Sequence, residues 1–98
     1  MIVTLYTQPL CGYCDLMKSM LDEVNVEYRV IDIKSNSAAK DFIKSEGHST
    51  VPQLYLGDIH LNKKTDTRDY SPKELYNIII EANVNSWPWQ DSGIEQGI

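Results

Sequence analysis

The segment from Ile2 to Ile33 constrains the fold more than any other part of the chain. Ile2-Val3-Thr4-Leu5-Tyr6 is β-branched and aromatic, ends before Gln8-Pro9, and reads as a strand. Tyr13, Met17, Met20, Leu21 and Val24, with Leu16 beside them, then recur at helical spacing. Asn25 can close that helix in a left-handed conformation. Glu27-Tyr28-Arg29-Val30-Ile31-Asp32-Ile33 follows as a second strand after a very short turn. A strand, a helix and a strand in so short a span imply a parallel pair with a right-handed crossover.

The remainder completes an alternating pattern. Ser35-Asn36-Ser37 offers N-caps for a second helix with Ala39, Phe42 and Ile43 inward and Gly47 as its stop. After His48-Ser49-Thr50, Val51-Pro52 leads into the strand Gln53-Leu54-Tyr55-Leu56, and Gly57-Asp58 turns it back into Ile59-His60-Leu61. A polar stretch spans Asn62 to Asp69. Ser71-Pro72-Lys73-Glu74 has the form of a capping box with proline at the first helical position, and Tyr70 and Leu75 are placed to staple it. Leu75, Ile78, Ile79 and Ala82 give this third helix an apolar face. The order is β-α-β-α-β-β-α, an α/β fold with a four-stranded mixed sheet flanked by three helices. Residues 1–84 form the expected domain. Residues 85–98, with Trp87-Pro88-Trp89, lack periodicity and read as a tail that covers the third helix or meets a partner.

Ninety-eight residues leave room for one small core. No run approaches the ~20 apolar residues that cross a membrane. MIVTLYTQ lacks the basic and apolar regions of a secretory signal, so a cytoplasmic protein is the expectation. The net charge of -5, with only Lys63-Lys64 adjacent among nine basic residues, argues against nucleic acid as a partner.

Both cysteines lie in TQPLCGYCDLM, two residues apart. Such a pair could hold a metal, form a structural disulfide or exchange electrons. A structural zinc site wants four ligands, and His48 and His60 are the only histidines available to complete one. A disulfide across two residues closes too small a loop to stabilise much. Cys11 falls where a strand meets a helix, and the unpaired N–H groups of a helix start lower a thiol's pKa. Cys14 follows one turn later on the same face, placed to attack a mixed disulfide on Cys11. Redox exchange therefore leads, with Cys11 attacking and Cys14 resolving.

Val51-Pro52 is the second element of interest. By itself it reads as the start of an edge strand. The alternative is a cis bond, which would present the backbone of Val51 for pairing with a peptide-like substrate next to the thiol.

With Cys11-Gly12-Tyr13-Cys14, Thr50-Val51-Pro52 and this element order, residues 1–84 resemble the glutaredoxins, of thioredoxin-like fold. The resemblance implies a dithiol oxidoreductase with glutathione as co-substrate and a cis Pro52. Cys11 would be the nucleophile and Cys14 the resolving thiol. Tyr13 would flank the glutathione sulfur, Thr50, Val51 and Pro52 would line its groove, and Thr65-Asp66 would hold its γ-glutamyl group. Implied substrates are protein disulfides or glutathione mixed disulfides, with ribonucleotide reductase as one acceptor, and a monomer is expected. Glutaredoxins poise near about -200 to -230 mV, against about -270 mV for thioredoxin, which suits glutathione as reductant.

Three departures qualify the likeness. Gln8 stands where the family usually has a lysine that contacts the glycyl carboxylate; Lys63 or Lys64 could replace that charge, but they read first as solvated loop residues. Asn62-Lys63 stands where Gly-Gly is usual. Gly12 replaces the familiar proline. Gln8 and Asn62-Lys63 fit an alternative, a glutaredoxin-like protein reduced by thioredoxin reductase. Gly12 fits another, a dimer bridging a [2Fe–2S] cluster through Cys11 of each subunit and two glutathione thiols.

Overall fold

In a computed structural model of the chain, the described residues are 2–64 and 66–85. Thr65 and the Trp87-Pro88-Trp89 tail lie outside them. The strands are β1 (Val3–Thr7), β2 (Tyr28–Asp32), β3 (Gln53–Leu56) and β4 (Ile59–His60); the helices are α1 (Gly12–Glu23), α2 (Ser37–Ser45) and α3 (Pro72–Asn85). The sheet order is β2-β1-β3-β4. β1 runs parallel to β2, with Val3 opposite Tyr28, and antiparallel to β3, with Leu5 opposite Leu54. β3 and β4 pair antiparallel, with Tyr55 opposite His60. This is the four-stranded mixed sheet expected from the element order, and the thioredoxin-like arrangement that the resemblance implies.

The central strand is buried on both faces: Val3 and Leu5 are inaccessible, and Thr4 and Thr7 nearly so. The edge strand β2 is half-exposed and carries Arg29 and Asp32, charges that discourage further strand pairing. Met17, Met20 and Leu21 of α1 and Leu75 and Ile79 of α3 close the core over Leu5 and Leu54. Burying each such side chain contributes about 1.5–3 kcal/mol.

Local signals set the element ends. Asn25 adopts φ +58° and Gly47 φ +85°. Each is followed by paired bonds back into its helix, Val26 N–H to Leu21 O at 3.1 Å and His48 N–H to Ile43 O at 3.1 Å, the Schellman pattern. Asn36 caps α2 by accepting from Ala39 N–H at 3.0 Å. At α3 only half of the expected capping box forms. Ser71 Oγ accepts from Glu74 N–H at 3.1 Å, but the Glu74 carboxylate turns away to Lys64 at 2.7 Å. Tyr70 and Leu75 are both buried in the core, as a staple requires.

Two features depart from expectation. The polar stretch after β4 contains a single 3₁₀ turn, Thr67–Asp69, capped by Asp66. Tyr13, grouped above with the apolar side of α1, is 42% exposed. Among the described residues no helix is long and apolar enough to cross a membrane.

Candidate active site

β1 delivers the chain to the start of α1, where Cys11 is the N-cap in extended conformation. Its sulfur accepts the N–H of Cys14 at 3.1 Å, one of the donors that a helix start leaves unpaired. That contact and the positive end of α1 favour a thiolate at Cys11. Cys11 and Cys14 are joined in a disulfide with Cα atoms 5.2 Å apart. Cys14 is 1% exposed, whereas Cys11 is half-buried, so an incoming disulfide reaches Cys11 first.

The Val51–Pro52 peptide bond is cis. The carbonyl oxygen of Val51 lies 3.9 Å from Cys11 Sγ, so the edge available for backbone pairing adjoins the nucleophile. Thr50 is exposed and Pro52 is buried beneath the segment.

A groove opens on either side of Thr50 and Val51. One, of about 240 Å³, is lined by Gln8, Thr50 and Val51 and by three ammonium-bearing side chains, Lys34, Lys40 and Lys44. The other, of about 440 Å³, is lined by Tyr13, Val51, Pro52, Asn62, Lys63 and Thr67. Uncharged Gln8 thus shares the smaller groove with three lysines, from α2 and from the turn after β2. Lys64, which also lines the second groove, is paired with neighbours outside it. Its ammonium is 2.7 Å from Glu74 Oε2 and 3.1 Å from Asp69 O, and it sits 5.0 Å over the Tyr70 ring. The bond to Glu74 raises the pKa of Lys64 and lowers that of Glu74.

Asp66 is held by a neighbour. Its carboxylate accepts from Arg68 Nε at 3.1 Å and Nη2 at 2.8 Å, and from the Arg68 backbone N–H at 2.9 Å. The Arg68 side chain bonds lower the Asp66 pKa and raise that of Arg68. The guanidinium also lies 5.4 Å over the ring of Tyr13, linking the 3₁₀ turn to the cysteine helix.

Sequence reading did not assign the roles of three features: Arg68, the Asn62 side chain and the cluster of His48, Tyr55 and His60. Arg68 stands in a loop with no periodic pattern. The Asn62 side chain, 7% exposed, bridges the cis segment to β3, accepting from Leu54 N–H at 2.8 Å and donating to Pro52 O at 3.0 Å. His48, Tyr55 and His60 cluster behind Thr50. His48 Nε2 and the Tyr55 hydroxyl are 2.7 Å apart, Tyr55 donates to Glu46 at 3.1 Å, and the imidazoles meet at a tilt of 47° with centroids 4.5 Å apart. Only the pairing of Asn with a position usual for Gly was a visible signal.

A [2Fe–2S] cluster needs four thiolates. This chain has one accessible cysteine, and it is joined to Cys14. Among the described residues no group of three or more His, Cys, Asp or Glu could hold a metal ion. One chain therefore does not supply a cluster's ligands by itself, and nothing in its geometry supports the bridged dimer in which Cys11 of each subunit and two glutathione thiols would share them.

The glutaredoxin family profile matches residues 3–61, from the first strand through both cysteines, the cis proline and β4. The chain belongs to the glutaredoxin family. Glutaredoxin 1 of Rickettsia felis is 39% identical over 62 residues, a stretch covering 60% of this chain and 61% of that protein. This glutaredoxin-family chain is therefore matched over about three fifths of that relative's length. Its fold is similar to that of the glutaredoxin-like NrdH-redoxin of Escherichia coli, described as having a thioredoxin-like activity profile. There the TM-score is 0.64 at 19% identity, covering 79% of this chain and 93% of that one. It is also similar to a buckwheat glutaredoxin in complex with glutathione, with a TM-score of 0.60 at 21% identity over 83% of this chain and 78% of that one.

Proposed function

We propose that this protein is a glutathione-dependent thiol–disulfide oxidoreductase acting on protein disulfides or glutathione mixed disulfides. The observation that carries the reading is the asymmetry at the helix start: Cys11 is accessible beside the Val51 carbonyl, and Cys14 is buried behind it. In the reduced protein the Cys11 thiolate attacks one sulfur of a substrate disulfide, forming a mixed disulfide and expelling the other sulfur as a thiolate that takes up a proton. The Cys14 thiol, losing its proton, attacks Cys11 Sγ. This releases the second substrate thiolate and leaves the Cys11–Cys14 disulfide. Two electrons have passed to the substrate. One glutathione thiolate then opens the disulfide at Cys11, and a second releases glutathione disulfide and restores the Cys11 thiolate.

Glutathione is favoured as reductant because its carboxylates match the Lys34, Lys40 and Lys44 groove, and because Thr50, Val51 and Tyr13 converge beside the sulfur. Thr65 and Asp66 would take the γ-glutamyl end. Ribonucleotide reductase is one acceptor whose disulfide suits this chemistry. Gln8 and the Asn62 side chain favour a second reading, with thioredoxin reductase supplying electrons to the same cysteines. Steady-state NADPH oxidation coupled through glutathione and its reductase, compared with thioredoxin reductase, decides between them. Turnover with glutathione is expected. Turnover with thioredoxin reductase alone overturns the glutathione assignment and leaves the exchange chemistry intact.

A further inference from the structure

Leu10, the residue before the nucleophile, is fully exposed at 104% and has φ +58°. The left-handed region disfavours a non-glycine residue with a branched side chain, and Asn or Gly would hold the same backbone more easily. A leucine there carries that strain and gains no burial in return. Strained backbone of this kind clusters at ligand-contacting sites. Tyr13, two residues after Cys11, is the other exposed apolar side chain next to the cysteines.

Leu10 lines neither groove beside Thr50 and Val51. A small thiol lodged in those grooves would not touch it. A polypeptide continuing away from its own reacting cysteine would, because Leu10 is joined to Cys11 by one peptide bond. We propose that Leu10 is an apolar contact for the polypeptide flanking a protein disulfide, so that it selects protein disulfides over small ones. The inference rests on the exchange chemistry proposed above and is independent of the reductant.

The test measures single-turnover oxidation of the pre-reduced protein, trapped by alkylation, with insulin and with bis(2-hydroxyethyl) disulfide as oxidants. Leu10→Asn keeps the backbone conformation and removes the apolar surface; Leu10→Met keeps the surface. With Leu10→Asn the rate with insulin falls about tenfold, the worth of one buried apolar side chain. Its rate with the small disulfide is unchanged, its Tm is equal or higher, and Leu10→Met retains the parent rate with insulin. Equal loss on both oxidants, or loss on neither, overturns the proposal. So does a dimer on gel filtration that Leu10→Asn dissociates, which would assign the side chain to self-association. If the unaltered protein reduces neither disulfide, the exchange reading itself fails.

Discussion

Asn62 holds Pro52 to the sheet. Its amide donates to the Pro52 carbonyl at 3.0 Å while its oxygen accepts the N–H of Leu54 at 2.8 Å, both bonds buried. The pair extends the β3–β4 ladder by side chain, one step beyond the Leu61 N–H to Leu54 O bond at 2.9 Å. At a position where the family resemblance leads one to expect glycine, this chain clamps the cis-proline segment from beneath.

Removing the clamp leaves a buried N–H and a buried carbonyl without partners. Asn62→Ala is expected to destabilise the fold by about 2–3 kcal/mol, since each orphaned group costs about 1–3 kcal/mol. Urea unfolding should show a lower midpoint with an unchanged slope. A midpoint within error of the parent would show that the clamp is dispensable.

Lys40 and Lys44 line the same groove as the uncharged Gln8. The double variant Lys40→Gln, Lys44→Gln is expected to raise the KM for glutathione by roughly five- to tenfold with kcat little changed, because it removes charge complementarity and leaves the cysteines alone. Raising ionic strength should narrow the difference between parent and variant. An unchanged KM would place the glycyl carboxylate elsewhere.

His60 provides a pH dependence of stability. Burial chiefly, then the charges of His48 and Lys63, lower its pKa, against weaker support from Asn62 and Glu46. The unfolded chain therefore binds the proton more readily than the folded one. The stabilisation is complete above the unfolded value of about 6.5 and is lost as pH falls through it toward the lower folded value. Thermal melts at about pH 7.5 and about pH 5.5 should show a larger fall in Tm for the parent than for His60→Gln. Equal falls in both proteins would locate the acid sensitivity in other groups.

Arg68 and Tyr13 illustrate how unevenly the site was legible. The two cysteines, Tyr13 and the cis proline segment stood out as short motifs, and Cys11 at a helix start followed from strand and helix periodicity. Arg68 had no such mark. It reaches Tyr13 because the 3₁₀ turn after β4 packs on α1, a contact between segments more than fifty positions apart. Lys63-Lys64 drew attention as the one adjacent basic pair, yet the Lys64 ammonium is committed to Glu74.

By itself the sequence determined the order of elements, their ends and the place of the cysteines. These depend on interactions within a few residues: side-chain periodicity, the Asn36 and Ser71 caps, and the left-handed Asn25 and Gly47. Only the tertiary structure decided which side chains meet. The crossover from β1 to β2 and the return of β3 bring Gln8 and Thr50 to one groove with Lys34, Lys40 and Lys44, and set His48 against His60. The reason is geometric. Periodicity says which side of an element faces inward, but only the packing of elements across the sheet sets which surfaces end up opposite one another.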